Sequence, residues 1–389
     1  MKVCLVSRYL WPPRFGGAEL STHRIASLLG PSASLVCRWT RREGGPYPYE
    51  IIRVGGQRSA ILPDRLREPW LRRRLLSLAP REVSIWHACE AAEIPWALAL
   101  ARRWGGAVVA AASWLPCRNL PPEQWPPVHS RSEARRQDEA LRERRWLARC
   151  DAVVVASDYM RGLVEGFVEQ ERLFLVPCGL DHPQQLPPLP TGPPNVLFIG
   201  RLSPGKGVAA LLAAWRMARS RLGNATLTVA GEGDRREVER VASDPENAIA
   251  YAGYVEGEGR ERLFSRAGAV AMPSDYPESW GLSGLEGMAR GRPVIGTAFG
   301  GQAEYLKAGV NGWVAAPGSV EPLAEALINA VETIRERRRW EEFSQAALST
   351  AEPYTWERNL TEIGHVWEET LGRPRASEAA LPDPERMAM

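Results

Sequence analysis

Two successive series of strand-sized apolar runs, each run trailed by a helical stretch, leave this chain few ways to fold. Short apolar runs that alternate with helices build parallel sheets covered on both faces, because each parallel crossover needs a helix-length connection. The first series occupies residues 3–7, 51–54, 84–86, 107–111 and 152–155, with a helix starting near Ala18 and a long polar helix over 131–150. The second occupies 196–199, 227–230, 270–272, 294–295 and 313–315, with helices over 208–220 and 320–338. Between them, residues 181–194 carry six prolines, too many for a helix or a central strand. The pattern predicts an α/β protein of two Rossmann-like, doubly wound domains facing across a cleft. The expected division is 1–182, a proline-rich linker over 183–194, a second domain over 195–354, a helix over 355–372 and a flexible tail over 373–389.

A chain of 389 residues is long enough for two such cores, and 44% apolar with 24% charged residues is an ordinary globular balance. No apolar run approaches the roughly 20 residues of a membrane span, and Lys2 leads straight into a strand rather than a signal peptide. A cytoplasmic protein is expected, with peripheral contact at the inner membrane face as the alternative. Six scattered cysteines without a C-x-x-C pair and five dispersed histidines predict neither disulfides nor a bound metal. Net charge is only +3, which excludes a strong whole-molecule field. Two arginine-rich stretches, 62–82 and 131–150, also carry acids. They read as solvated, salt-bridged faces rather than lipid or nucleic-acid surfaces.

Three loops have the composition of anion cradles, each where a strand runs into a helix. Gly16 and Gly17 follow the first strand, where a bare tight turn would use the same residues. The second loop, Gly200-Arg201-Leu202-Ser203-Pro204-Gly205-Lys206-Gly207, follows the strand at 196–199. Of 49 basic residues only Lys2, Lys206 and Lys307 are lysines, so a lysine in a glycine-rich loop is a departure from the chain's habit. A guanidinium fork and an ammonium five residues apart suit a diphosphate, although a solvated basic turn has the same composition. The third loop places Glu278 eight residues before Glu286, with Gly281, Leu282 and Ser283 opening a helix between them. Its first amides suit an anion, and a carboxylate one turn further suits the vicinal hydroxyls of a ribose.

Together these residues resemble the family-4 retaining glycosyltransferases of the GT-B fold. The likeness runs from the Gly16-Gly17 loop through the turn Val176-Pro177-Cys178-Gly179-Leu180-Asp181 and the Arg201/Lys206 loop. It continues through Gly231-Glu232-Gly233-Asp234, the Glu-x7-Glu element, Gly300-Gly301-Gln302-Ala303-Glu304 and Asn311-Gly312-Trp313-Val314. The resemblance implies a hexosyltransferase that moves a sugar, with retention, from a UDP- or GDP-type donor to an acceptor it does not identify, without cofactor or metal. It implies that Arg201 and Lys206 hold the diphosphate, helped by the amides of Gly281, Leu282 and Ser283 and by Gly16 and Gly17. Glu278 would lie beside the donor sugar, Glu286 on the ribose, and Tyr254 and Val255 near the base. The helix over 355–371 would cross back onto the first domain.

The chain departs from that pattern in three places. Residues 110–114 lack the histidine that relatives often carry after the fourth strand of the first domain, and His87 reads as a structural residue at a strand end. Cys178 replaces an asparagine, and Trp280 stands where phenylalanine is common. Two rivals share the fold and the phosphate loops: a phosphorylase or sugar-nucleotide epimerase, and a non-catalytic nucleotide-sugar binding protein. Phosphate dependence or turnover without acceptor marks the first. Four intact charges, Arg201, Lys206, Glu278 and Glu286, argue against the second.

Overall fold

The computed structural model describes residues 1–9, 17–39, 46–55, 64–112, 133–188 and 190–376. They gather into two compact units: the residues up to Gly179 with those from Trp356 onward, and Leu180–Thr355. Gly16 and residues 113–114, 131–132 and 377–389 lie outside the described residues.

The first unit is built on seven strands: β1 (Val3–Tyr9), β2 (Ala33–Trp39), β3 (Glu50–Arg53), β4 (Ile85–Ala88), β5 (Ala107–Ala111), β6 (Ala152–Val155) and β7 (Leu173–Leu175). Their order is β3-β2-β1-β4-β5-β6-β7, with every pair parallel. β4 and β6 are buried at every position, because helices cover both faces of the sheet. One face packs on Leu71, Leu75, Ile94 and Leu100. The other is closed by the helix Gly17–Leu29 and by Ile363, Val366 and Trp367 of the helix Trp356–Gly372. The helix Trp356–Gly372 thus belongs to the first unit.

His87, expected just after its strand, sits inside β4 and is 3% exposed. The Trp367 indole N–H donates to its Nδ1 at 3.1 Å, and burial lowers its pKa to about 4. It is a neutral core residue. The arginine-rich helices are Asp64–Leu78 and Glu133–Leu147, and Arg142 pairs with Asp138 one turn away on an exposed face. Among the described residues no helix is long and apolar enough to cross a membrane.

The second unit repeats the plan with β8 (Asn195–Ile199), β9 (Thr226–Ala230), β10 (Ile249–Gly253), β11 (Ala269–Met272), β12 (Val294–Gly296) and β13 (Gly312–Val314). The order is β10-β9-β8-β11-β12-β13, again all parallel. The helices Val208–Leu222 and Val320–Arg335 cover one face through Trp215, Leu211 and Leu327; Phe264 covers the other. The helix expected over 320–338 is two helices, Val320–Arg335 and Arg337–Ala351, broken at Glu336 (φ −92°, ψ 92°). The break lets Trp340 turn inward and donate its indole N–H to Gly268 O at 2.7 Å.

The proline-rich stretch is fastened to this unit. Arg292, 1% exposed, donates to Pro188 O at 2.9 Å and to Phe264 O at 2.9 Å, while burial lowers its pKa to about 10. Prolines leave carbonyls without competing N–H groups, and the buried guanidinium takes one of them.

Candidate functional site

β8 and β11 lie side by side in the middle of the second sheet, yet the chain winds away from them in opposite directions. The loops after their C-terminal ends therefore diverge and leave a crevice, the usual ligand position in a doubly wound sheet. Residues 200–207 follow β8 and residues 273–281 follow β11, so the second and third candidate loops meet at this switch point.

They meet closely. Gly207 has φ +71°, and a Cβ there would lie 1.7 Å from Pro273 O. The Asp275 N–H donates to Gly205 O at 2.9 Å. Leu202 is bracketed in turn by the Gly231–Asp234 segment, donating to Glu232 O and accepting from the Asp234 N–H, both at 2.8 Å. That motif thus shapes the Arg201/Lys206 loop from behind.

The result is a contact between the two loops' charges. Lys206 Nζ lies 2.6 Å from Glu278 Oε1, with the two side chains 21% and 7% exposed. Ser274, fully buried, donates to the same carboxylate oxygen, and Lys206 Nζ sits 5.2 Å over the Tyr276 ring. Burial works against the ammonium, but the Glu278 carboxylate and the Tyr276 hydroxyl outweigh it and hold the Lys206 pKa above its ordinary value. Burial and the Glu278 charge raise the Tyr276 phenol in turn. Behind Ser274 a buried relay continues: Thr297 Oγ1 donates to Ser274 O, and Gln302 Nε2 donates to Thr297 Oγ1, both at 2.9 Å.

The backbone of Glu278 is held as firmly as its side chain. Its N–H donates to Phe299 O at 3.0 Å, and the Gly301 N–H donates to its carbonyl at 2.6 Å. Gly300 (φ +79°) permits this, since a Cβ there would lie 2.4 Å from Glu278 O. The Gly300-Gly301-Gln302 motif is the support of the glutamate. A buried ion pair of this kind contributes little net stability once desolvation is counted, so its place at the switch point points to ligand chemistry.

Gly281 caps the helix Leu282–Met288, whose first amides have no acceptor within the helix. Tyr305, buried, donates to Gly281 O at 2.8 Å, and Trp280 packs edge-on between Tyr305 and Tyr354 at 5.7 and 5.2 Å. Trp280 therefore serves as packing at this position. Glu286 lies inside the helix with its side chain 12% exposed and pairs with Arg260. Tyr254 and Val255 follow β10: the Tyr254 hydroxyl donates to Glu256 at 3.2 Å, and Val255 packs on the Phe264 cluster. Arg201 is exposed in the loop that carries Lys206.

Arg201, Lys206, Tyr254, Val255, Glu278, Gly281, Leu282, Ser283 and Glu286 thus all belong to the second unit, while Gly17 opens a helix of the first. Ser274, Tyr276 and Arg260 escaped the sequence reading. Tyr276 had one visible signal, its place two residues before Glu278; Arg260 was one arginine among many. Among the described residues no group of three His, Cys, Asp or Glu is placed to hold a metal ion.

Comparison with known proteins covers most of the chain. The family described as Glycosyl transferases group 1 matches residues 181–347, and Glycosyltransferase Family 4 matches residues 15–184. An uncharacterised glycosyltransferase of Methanocaldococcus jannaschii is 31% identical over 186 residues, 46% of either chain. A glycogen synthase of Mycobacterium tuberculosis is 31% identical over 207 residues, 50% of this chain and 48% of that one. The chain thus spans about half the length of these two relatives. Among solved structures, Anabaena HepE in complex with UDP-glucose superposes with a TM-score of 0.72 at 19% identity, covering 95% of this chain and 99% of that one. The sucrose-phosphate synthase of Thermosynechococcus elongatus gives 0.77 at 19% identity, over 96% and 100%. At that identity these two likenesses speak for the two-domain GT-B fold.

Proposed function

The chain belongs to the group 1, family 4 glycosyltransferases, and we propose that it moves a sugar from a nucleotide-diphosphate sugar to an acceptor hydroxyl with retention at the anomeric carbon. The observation that carries this reading is the Lys206–Glu278 contact at the switch point of the second sheet. Without donor, the two charges neutralise each other in a buried setting. An arriving diphosphate takes Lys206, with Arg201 as the second cation and the Leu282 and Ser283 amides as dipoles. Glu278 is thereby released to accept a hydroxyl of the donor sugar. Glu286 accepts the ribose hydroxyls, and Tyr254 and Val255 flank the base. In the reaction the bond from C1 to the diphosphate oxygen breaks and its electron pair leaves with the diphosphate. The acceptor oxygen bonds to C1, and its proton passes to the departing phosphate. Lys206 stabilises the charge that builds on the leaving group.

Because Lys206, Arg201 and the helix amides supply positive charge at the diphosphate, turnover needs no divalent cation in this reading. In the test water stands as the acceptor: UDP-glucose and GDP-mannose are incubated with the protein, and slow hydrolysis to the free sugar, with no epimerised nucleotide sugar formed, is followed by proton NMR. The expected first product of one of these α-linked donors is the α-anomer, at an equal rate in excess EDTA. A β-anomer appearing first overturns retention. Loss of turnover in EDTA that Mg²⁺ restores overturns metal independence, and turnover that requires inorganic phosphate makes the protein a phosphorylase.

A further inference from the structure

Two ion pairs, Arg260–Glu286 and Arg290–Glu261, tie the helix Gly257–Arg266 of the second unit to the helix Leu282–Met288 and the turn just after it. From the first helix, Arg260 Nη2 donates to Glu286 Oε2. The Arg260 guanidinium is itself placed by the Phe264 ring one turn on, 5.1 Å away. From just beyond the second helix, Arg290, 3% exposed, reaches back. Its Nε and Nη2 donate to the two carboxylate oxygens of Glu261 at 2.8 and 2.6 Å, and its Nη1 donates to Glu286 O at 2.9 Å. Glu286 is therefore fixed at both ends, the backbone by Arg290 and the carboxylate by Arg260. Arg260 also follows closely on Tyr254 and Val255, the segment read as flanking the base.

A carboxylate has about four acceptor directions on its two oxygens, and a cis-diol needs two of them at one orientation. An unrestrained glutamate carboxylate turns freely, and each diol bond must first overcome that freedom. Arg260 takes one direction on Oε2 and fixes the plane of the rest. We propose that Arg260 is a positioning residue that sets the Glu286 carboxylate to accept both hydroxyls of a ribose, and so makes the site select ribonucleotides over 2′-deoxyribonucleotides. This rests on the reading of Glu286 as the ribose ligand. A second role for Arg260 makes a different demand: if it only offsets the Glu286 charge near a diphosphate, its loss weakens both nucleotides equally.

The experiment is calorimetric titration of the full chain with UDP and 2′-deoxy-UDP, and with GDP and 2′-deoxy-GDP. The proteins are the wild type, Arg260→Gln, Arg260→Lys and Glu286→Gln. The wild type is expected to prefer one ribonucleotide over its deoxy form by about tenfold, the order of one charge-assisted hydrogen bond. Arg260→Gln should cut that preference at least about threefold, mainly by weakening the ribonucleotide, and Arg260→Lys should restore part of it. Should Arg260→Gln prove unstable, Arg260→Lys carries the test alone, since it keeps the charge and loses the planar fork. Equal weakening of both nucleotides, or a preference lost in Glu286→Gln but intact in both Arg260 variants, overturns the role of Arg260 and leaves Glu286 on the ribose. A wild type that binds neither nucleotide, or binds without regard to the 2′-hydroxyl, overturns the reading of Glu286 and this inference with it.

Discussion

Lys206 donates to Glu278 while sitting over the Tyr276 ring, so replacing it removes a cation and leaves the buried carboxylate with the Ser274 hydroxyl. Lys206→Ala is expected to lower kcat and donor affinity together, by about 10- to 150-fold, the range of a charge-assisted bond. Glu278→Ala should act mainly on kcat. Glu286→Ala should mainly raise donor KM, because the ribose does not react. Steady-state kinetics of the three variants separate these roles, and an unchanged donor KM with abolished kcat in Glu286→Ala overturns the assignment. A different prediction attaches to His87. The unfolded chain protonates it near its ordinary 6.5, whereas the folded protein resists until about 4. Protons therefore favour the unfolded chain, and stability present above pH 6.5 is lost as pH falls toward 4, by at most about 3 kcal/mol. Urea titrations should show His87→Gln with a flatter stability curve between pH 6.5 and 5 than the wild type; equal slopes refute the assignment. Lys206 was legible in the sequence because lysine is rare in this chain, and Glu286 because of its spacing. Arg260 was not, since nothing local distinguishes it and its partner lies 26 residues away.

The helix Leu282–Met288 lies against β11 with glycine at its contact points. A Cβ on Gly287 would stand 2.7 Å from Val270 Cγ2, a β-branched side chain inside a fully buried strand that cannot step aside. Gly287→Ala should cost about 1–3 kcal/mol and lower the melting temperature by roughly 2–4 °C for each kcal/mol. In the helix Trp356–Gly372, by contrast, a Cβ on Gly364 would meet nothing within 4 Å. Gly364→Ala should stabilise by about 0.4–1 kcal/mol. Melting curves of the two variants check both signs, and a stabilised Gly287→Ala refutes the packing argument. Part of what could be read in advance follows the same physics, although β2, also a buried strand, is not among the strands read from the sequence. β5 and β6 are continuous apolar runs because both faces are covered, and they were predicted at their observed lengths. β10, at the sheet edge, alternates large and small residues and ends in glycine; β7 has only three residues; both lack a signal of their own. The break at Glu336 has no glycine or proline to announce it, and the contact it permits, from Trp340 to Gly268, lies far off in the sequence.

At the scale of the whole molecule, the chain leaves the first unit after Gly179 and re-enters it at Trp356. The two passages run side by side: Leu180 and Thr355 form a parallel bridge, and the Leu180 N–H donates to Tyr354 O at 3.1 Å. The helix Trp356–Gly372 anchors the return, with Asn359 donating to Pro177 O at 2.6 Å. The second unit, with its candidate donor site, is thus an insert in the first. This has a mechanical consequence. Tension applied through Lys2 and Arg373 enters and leaves by the first unit alone, and the insert, entered and left at adjacent points, stays slack until its host ruptures. In an optical trap the first extension should correspond to residues of the first unit, and Leu180–Thr355 should open second. A bound nucleoside diphosphate should raise the force of the second rupture and leave the first where it was. A molecule whose second unit opens first does not carry its load along this path.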